Sequence, residues 1–157
     1  MAYITLKIDQ DFRNGQHEIR RLKRGMKTLC KIGVKIENII IYNTQRGVHI
    51  YMLIQDRFQG FEVTDEDLNM FQMVCNDDLD RVFKNHLRIK TQQYEFQRWN
   101  ILFIRKFSIS AQGRKLISKE EYNLELTTLF SSFLDFLKYR YYNHYHENII
   151  YFFKNSY

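Results

Sequence analysis

Alternating hydrophobic and polar residues at the start of the chain predict a half-buried β-strand. Over positions 2–9, Ile4, Leu6 and Ile8 alternate with polar side chains, so one side of the strand faces a core. Over positions 16–33, apolar residues recur every three or four positions, which predicts an amphipathic helix. The outer face of that helix is strongly basic.

Two β-branched runs predict a β-hairpin in the next part of the chain. They occupy positions 36–42 and 48–54, and a turn-forming segment separates them. Residues 64–67 have the pattern of a capping box, which predicts that a helix starts there and ends at the Asn-Asp-Asp sequence of 76–78. A short helix or irregular segment follows, and positions 100–107 predict another strand.

The C-terminal part of the chain predicts one long helix. Residues 118–121 have the Ser-x-x-Glu pattern of a capping box, and apolar residues at helical spacing continue to about Arg140. The aromatic residues on this helix either bury it against the core or form a homodimer face. The tail at 148–153 predicts a late edge strand.

This order of elements predicts an α+β fold with a ferredoxin-like β-α-β-β-α-β sheet whose helices cover one face. We expect a single domain over residues 1–157, with the core at 1–110 and a helical extension at 111–157. No apolar run is long enough to span a membrane. Cys30 and Cys75 fit reduced core thiols in an intracellular protein better than a secreted disulfide framework.

The net charge of +6 is unevenly distributed and favours a polyanionic partner. Residues 13–35 carry +7, residues 62–80 carry −7, and residues 81–115 carry +8. In an intracellular protein such basic blocks favour nucleic acid, and we expect DNA. The alternative for the first block, which includes Arg20, Arg21 and Arg24, is neutralisation by the acidic segment.

Strand alternation also collects polar side chains on one face of the sheet. The first and third strands are neighbours in a ferredoxin-like sheet, so Lys7, Asp9, Asp11, His49 and Tyr51 share the face that points away from the helices. Two aspartates at i and i+2 present hard oxygen ligands suited to Mg²⁺ or Mn²⁺. A bound ion of this kind activates water and stabilises charge on a phosphodiester, and a nearby histidine holds a phosphate or moves a proton.

The same residues resemble the palm of the archaeal-eukaryotic primase superfamily, which is nucleotidyltransferase-like. The similar features are Asp9-Gln10-Asp11 after the first strand, a basic helix, and then Arg46-Gly47-Val48-His49 in a turn and strand. The resemblance covers about the first third of the chain. It implies that Asp9 and Asp11 are metal ligands and catalytic residues, and that Arg46 and His49 contact the phosphate.

The chain departs from the pattern of that superfamily at two places. Asn43 or Thr44 stands where the second motif usually has a serine. The strand at 100–107 offers no third carboxylate, and Asp77 and Asp78 lie in a turn. In length and composition the chain also resembles small nucleases of filamentous archaeal viruses, which implies the host cytoplasm as its location.

Three functional hypotheses follow from the sequence. The first is a metal-dependent nuclease that cleaves DNA with Asp9, Asp11 and His49. Here the basic residues Lys7, Arg105 and Lys106 line the path of the DNA backbone. The second is a non-catalytic nucleic-acid-binding protein that uses the same sheet face. The third is a primase or nucleotidyltransferase remnant that still binds nucleotides.

Overall fold

The computed structural model describes residues 2–11, 17–91 and 95–143. The strands are β1 (Tyr3–Asp11), β2 (Ile36–Asn43), β3 (Gly47–Gln55), β4 (Arg57–Phe58), β5 (Phe61–Glu62), β6 (Arg105–Ser110), β7 (Gly113–Lys119) and β8 (Glu121–Tyr122). The helices are α1 (His17–Lys31), α2 (Asp65–Val74), α3 (Leu79–Thr91) and α4 (Leu124–Leu137), and a π-helical turn at Lys138–Asn143 extends α4. The mixed α+β class is therefore confirmed. The predicted tail strand at 148–153 lies outside the described residues.

The main sheet is antiparallel and has the strand order β1-β3-β2-β8. Strands β1 and β3 pair along their whole lengths, from Tyr3 opposite Gln55 to Asp11 opposite Gly47. The predicted hairpin is thus confirmed, and β1 lies beside its second strand as expected.

The core lies between this sheet and helices α1, α2 and α4. Leu6 and Ile8 of β1 are fully buried there, so the apolar side of the alternation faces the helices as predicted. The predicted capping box of α2 is present: the Thr64 side chain accepts from Asp67 N–H, and the Asp67 carboxylate accepts from Thr64 N–H. Helix α1 approaches α2 so closely that a Cβ on Gly25 would lie 2.6 Å from the Cα of Cys75.

The full ferredoxin-like strand order, by contrast, is not confirmed, because no strand of the described residues pairs with the outer edge of β1. The predicted strand at 100–107 is displaced toward the C-terminus: β6 pairs with β7 in a separate two-stranded hairpin. Along the outer edge of β1, side-chain and turn groups replace a fourth strand. Gln72 donates to Lys7 C=O at 3.1 Å, and Asp78 N–H donates to Asp9 C=O at 3.0 Å. Asp77 accepts from Asp9 N–H at 3.3 Å. These contacts satisfy backbone groups that another strand would otherwise pair with.

The start of the last helix also differs from the prediction. Residues 118–121 do not cap a helix, because they end β7 and begin β8. Helix α4 begins after Asn123, whose side chain accepts from Leu126 N–H at 2.9 Å. Residues 118–119 and 121–122 therefore belong to strands rather than to the start of a helix. None of the helices in the described ranges combines the length and apolar character needed to cross a membrane.

Candidate functional site

The pairing of β1 with β3 brings the predicted acids and histidine together. Asp9 lies directly opposite His49 in the register, and Asp11 lies opposite Gly47. His49 Nε2 is 3.6 Å from Asp9 Oδ1. The expected cluster on the outer sheet face is thus present, because a period of two along each strand fixes the face and the register fixes the neighbours.

Glu120, which the sequence reasoning missed, completes the surroundings of His49. His49 is only 3% exposed, and its Nδ1 lies 2.7 Å from Glu120 Oε1. Because a carboxylate oxygen only accepts, Nδ1 donates to Glu120, and Nε2 is the ring nitrogen that faces Asp9. The Tyr51 hydroxyl also donates to Glu120. Glu120 is far from His49 along the chain, so no local pattern indicated their contact.

A pocket of about 370 Å³ opens at this cluster, and we call it the acid pocket. Asp78 is the third carboxylate on its wall, and Lys106 and Arg46 supply positive charge. A second pocket of about 300 Å³ lies beside it and shares Asp9, His49, Asp78, Phe103 and Lys106. The acid pocket is lined by Asp9, Asp11, Thr44, Gln45, Arg46, His49, Asp78, Phe103, Lys106, Ile117 and Ser118.

Burial raises the pKa of the Asp9 carboxyl above its ordinary value. His49 opposes this rise in pKa, whereas the neighbouring Asp11 carboxylate adds to it, and the positive charges of Arg81 and Lys106 lower it again. The two aspartates thus repel each other in a partly desolvated site. A cation between them would relieve that repulsion.

Asp77, next to Asp78 in the chain, has a structural role. Its carboxylate is fully buried, ion-pairs with Arg81 and accepts from Asp9 N–H. Burial raises the pKa of Asp77 to about 7, although the Arg81 guanidinium opposes this. Arg81 also donates to Asn100. This buried pair anchors the start of α3 to the acid-bearing end of β1.

The predicted nucleic-acid contacts fall into separate groups. Arg46 and Lys106 line the acid pocket, whereas Lys7 lines a neighbouring pocket of about 380 Å³. Arg105 lies next to Lys106 at the start of the β6–β7 hairpin and is exposed. The basic residues Arg20, Arg21 and Arg24 are exposed on α1, which packs in the helix layer on the opposite side of the sheet.

The residues of the acid pocket fit a hydrated divalent cation. Asp9 and Asp11 point to the same side of β1, and Asp78 lines the same pocket. Within the described ranges, no group of three or more His, Cys, Asp or Glu side chains is arranged as a complete metal-binding cluster. Mg²⁺ is commonly bound through one or two carboxylates, with water and substrate phosphate oxygens as its other ligands. Asp9 and Asp11 match that mode of binding.

Comparison with known proteins gives no relative for this fold or this site. No family model matches the chain, and no curated protein and no solved structure shows significant similarity to it.

Proposed function

We propose that this protein is a metal-dependent nuclease that cleaves DNA in the acid pocket. One observation carries the proposal: Asp9, Asp11 and His49 meet in one pocket whose wall includes Arg46 and Lys106. Paired carboxylates can hold a metal that activates water, and cationic side chains can stabilise the charge that develops on a phosphodiester during hydrolysis.

Each side chain has a defined part in this proposal. Asp9 and Asp11 would hold Mg²⁺ or Mn²⁺, which when bound supplies activation of water and stabilisation of charge on the phosphodiester. Arg46 and Lys106 would attract and position the DNA phosphate, since both line the acid pocket.

His49 is the residue that would hold or move a proton in the pocket. The hydrogen bond from its Nδ1 to Glu120 orients the ring, so that Nε2 is the nitrogen on the Asp9 side. Glu120 is therefore a positioning residue, because it acts through His49. The partly buried Tyr51–Glu120 hydrogen bond holds the carboxylate in place for this role.

The test is cleavage of labelled linear DNA with Mg²⁺ or Mn²⁺ by the wild type and by Asp9→Asn and Asp11→Asn variants. Each variant should lose at least 100-fold in cleavage rate and still bind DNA in EDTA, since asparagine keeps the shape but removes the charge that holds the ion. Asp135→Asn is the matched control, because Asp135 is exposed on α4 in the helix layer. Wild-type rates in both pocket variants would refute the proposal.

The Glu120→Gln variant tests whether Glu120 positions His49. Glutamine accepts from Nδ1 less strongly, so we expect a smaller loss in the maximal rate than for Asp9→Asn, with an altered pH profile of that rate and little change in DNA affinity. An unchanged pH profile would show that Glu120 does not act through His49.

Non-catalytic DNA binding is the second candidate function. The strongly basic β6–β7 hairpin favours it, because binding through that hairpin needs none of the pocket acids. A wild-type protein that binds DNA but shows no cleavage with either metal would establish this alternative.

A further inference from the structure

The β6–β7 hairpin, which we call the basic ribbon, is exposed along most of its length. Of the residues in its two strands, Arg105–Ser110 and Gly113–Lys119, all are exposed except the half-buried Phe107 and Ser118. No ribbon residue belongs to the buried core. An isolated two-stranded hairpin is only marginally stable in water, so an exposed one is suited to gain order from a binding partner.

The charge of the basic ribbon indicates the chemistry of that partner. Residues 105–119 contain five basic residues and no acid. In the strand register, Ser108 lies opposite Lys115 and Ile109 lies opposite Arg114, so basic side chains emerge on both faces of the ribbon. A surface with positive charge on both faces is complementary to a groove with phosphates along both walls.

The ribbon is better suited to a duplex than to a single strand. A two-stranded β-ribbon fits the major groove of B-form DNA. Single-strand binding depends on exposed aromatic faces for base stacking. The one aromatic residue of the ribbon, Phe107, is covered by the Arg114 guanidinium at 3.7 Å from the ring centroid.

The root of the ribbon is also a wall of the acid pocket. Lys106, Ile117 and Ser118 line that pocket, and Ser118 Oγ accepts from Gln45 N–H at 3.1 Å. Glu120, one residue after the ribbon ends, donates its N–H to Ile104 C=O at 2.8 Å and contacts His49. A duplex bound along the ribbon therefore lies beside the proposed catalytic residues.

From these observations we infer that the basic ribbon is a docking arm for B-form duplex DNA, which it holds by its backbone phosphates next to the acid pocket. The inference deepens the proposed nuclease function, since it names the form of the substrate and the surface that delivers it. The inference concerns DNA binding alone, so it is tested in a binding assay without cleavage.

The experiment is fluorescence anisotropy of a labelled 20-base-pair DNA duplex in EDTA, across a range of salt concentrations. The triple variant Arg105→Gln, Arg114→Gln, Lys115→Gln removes three ribbon charges outside the pocket lining. Each lost phosphate contact lowers the slope of log affinity against log salt by about 0.9. We expect the slope to fall by about 3 and the affinity at low salt to fall at least tenfold.

The basic face of α1 is the other candidate DNA contact, and a variant of it is the matched control. Arg20→Gln, Arg21→Gln, Arg24→Gln removes the same charge from α1, and we expect its salt slope to stay within about 1 of the wild-type value. If the α1 variant lost as much DNA affinity and salt slope as the ribbon variant, or more, the inference would be overturned.

Binding of duplex RNA and of single-stranded DNA tests whether the ribbon recognises the major groove of B-form DNA. The deep, narrow major groove of A-form RNA does not admit a ribbon, so duplex RNA should bind more weakly than duplex DNA of the same sequence. Equal binding of duplex RNA, or tighter binding of single-stranded DNA, would also overturn it.

A labelling experiment on the wild type covers the case in which the triple variant does not fold. Duplex DNA should protect Lys115 from an amine-reactive reagent, and absence of protection at saturating duplex would count against the inference. If cleavage occurs but the ribbon variant binds normally, the ribbon inference fails and the nuclease proposal stands. If the ribbon binds duplex but no metal supports cleavage, the nuclease proposal fails and the ribbon inference stands.

Discussion

Gly47→Ala should distort the acid pocket and destabilise the fold, because Gly47 lies against the strand that carries the acids. A Cβ at this position would be 1.8 Å from Gln10 O, 2.8 Å from Gln10 C and 3.0 Å from Asp11 Cα. Ordinary contact begins near 3.4 Å, so the ends of β1 and β3 must separate by about 1.6 Å. Overpacking of this kind typically costs about 1–3 kcal/mol.

The same displacement should affect cleavage more than stability. It moves Asp11 away from Arg46 and His49, and a misplacement of about 1 Å in a catalytic arrangement costs on the order of 100-fold in rate. We therefore expect at least a 100-fold lower cleavage rate in a variant that is still folded at 25 °C.

Unfolding in urea, followed by the fluorescence of the single, fully buried Trp99, measures the stability change. Gly60→Ala is the control: Gly60 has φ +84° and no atom lies within 4 Å of the place an alanine Cβ would take, so this substitution costs about 1 kcal/mol through the backbone alone. This control should lose stability and keep the cleavage rate. A Gly47→Ala protein within 0.5 kcal/mol of the wild type would refute the reasoning.

Two further predictions concern buried groups. Burial raises the pKa of the Cys30 thiol to about 11 and raises that of Cys75 further, so at pH 8 only about a thousandth of Cys30 is thiolate. Iodoacetamide should therefore label both cysteines only after unfolding, as mass spectrometry would show; rapid labelling of the native protein would contradict their burial. Asp77→Ala leaves the Arg81 guanidinium without its buried partner and should cost about 3 kcal/mol at pH 8, measured by urea unfolding. A loss below 1 kcal/mol would show that the pair does not anchor α3.

Local patterns predicted the part of the site that lies on regular strands. Ile4, Leu6 and Ile8 fix which side of β1 is buried, and that places Asp9 and Asp11 on the other side whatever the rest of the fold does. The expected order of strands makes β1 and β3 neighbours, and their pairing brings His49 opposite Asp9.

The remaining parts depend on long-range contacts that no local pattern encodes. The position of Glu120 beside His49 follows from the path of the chain after β7. The sequence around it, Ser-x-x-Glu at 118–121, resembles the start of a helix, so the sequence predicted a capping box there instead. Among the described residues no fourth strand pairs with β1, because Gln72 and the turn at Asp77 and Asp78 occupy backbone groups on its outer edge. The ribbon strand β7 was missed because its polar, basic sequence has no buried face and hence no apolar alternation.

The closed edge of β1 has a consequence for the behaviour of the protein in concentrated solution. Unpaired strand edges invite sheet extension between molecules, and short or charged edge strands discourage it. Gln72, Asp77 and Asp78 occupy backbone groups of one edge of the main sheet, and the two-residue strand β8 ends the other. The basic ribbon also has open strand edges, where the like charges of two molecules repel. In the described part of the chain, the edge of β1 is thus guarded against pairing with another copy, whereas the ribbon is guarded by charge alone.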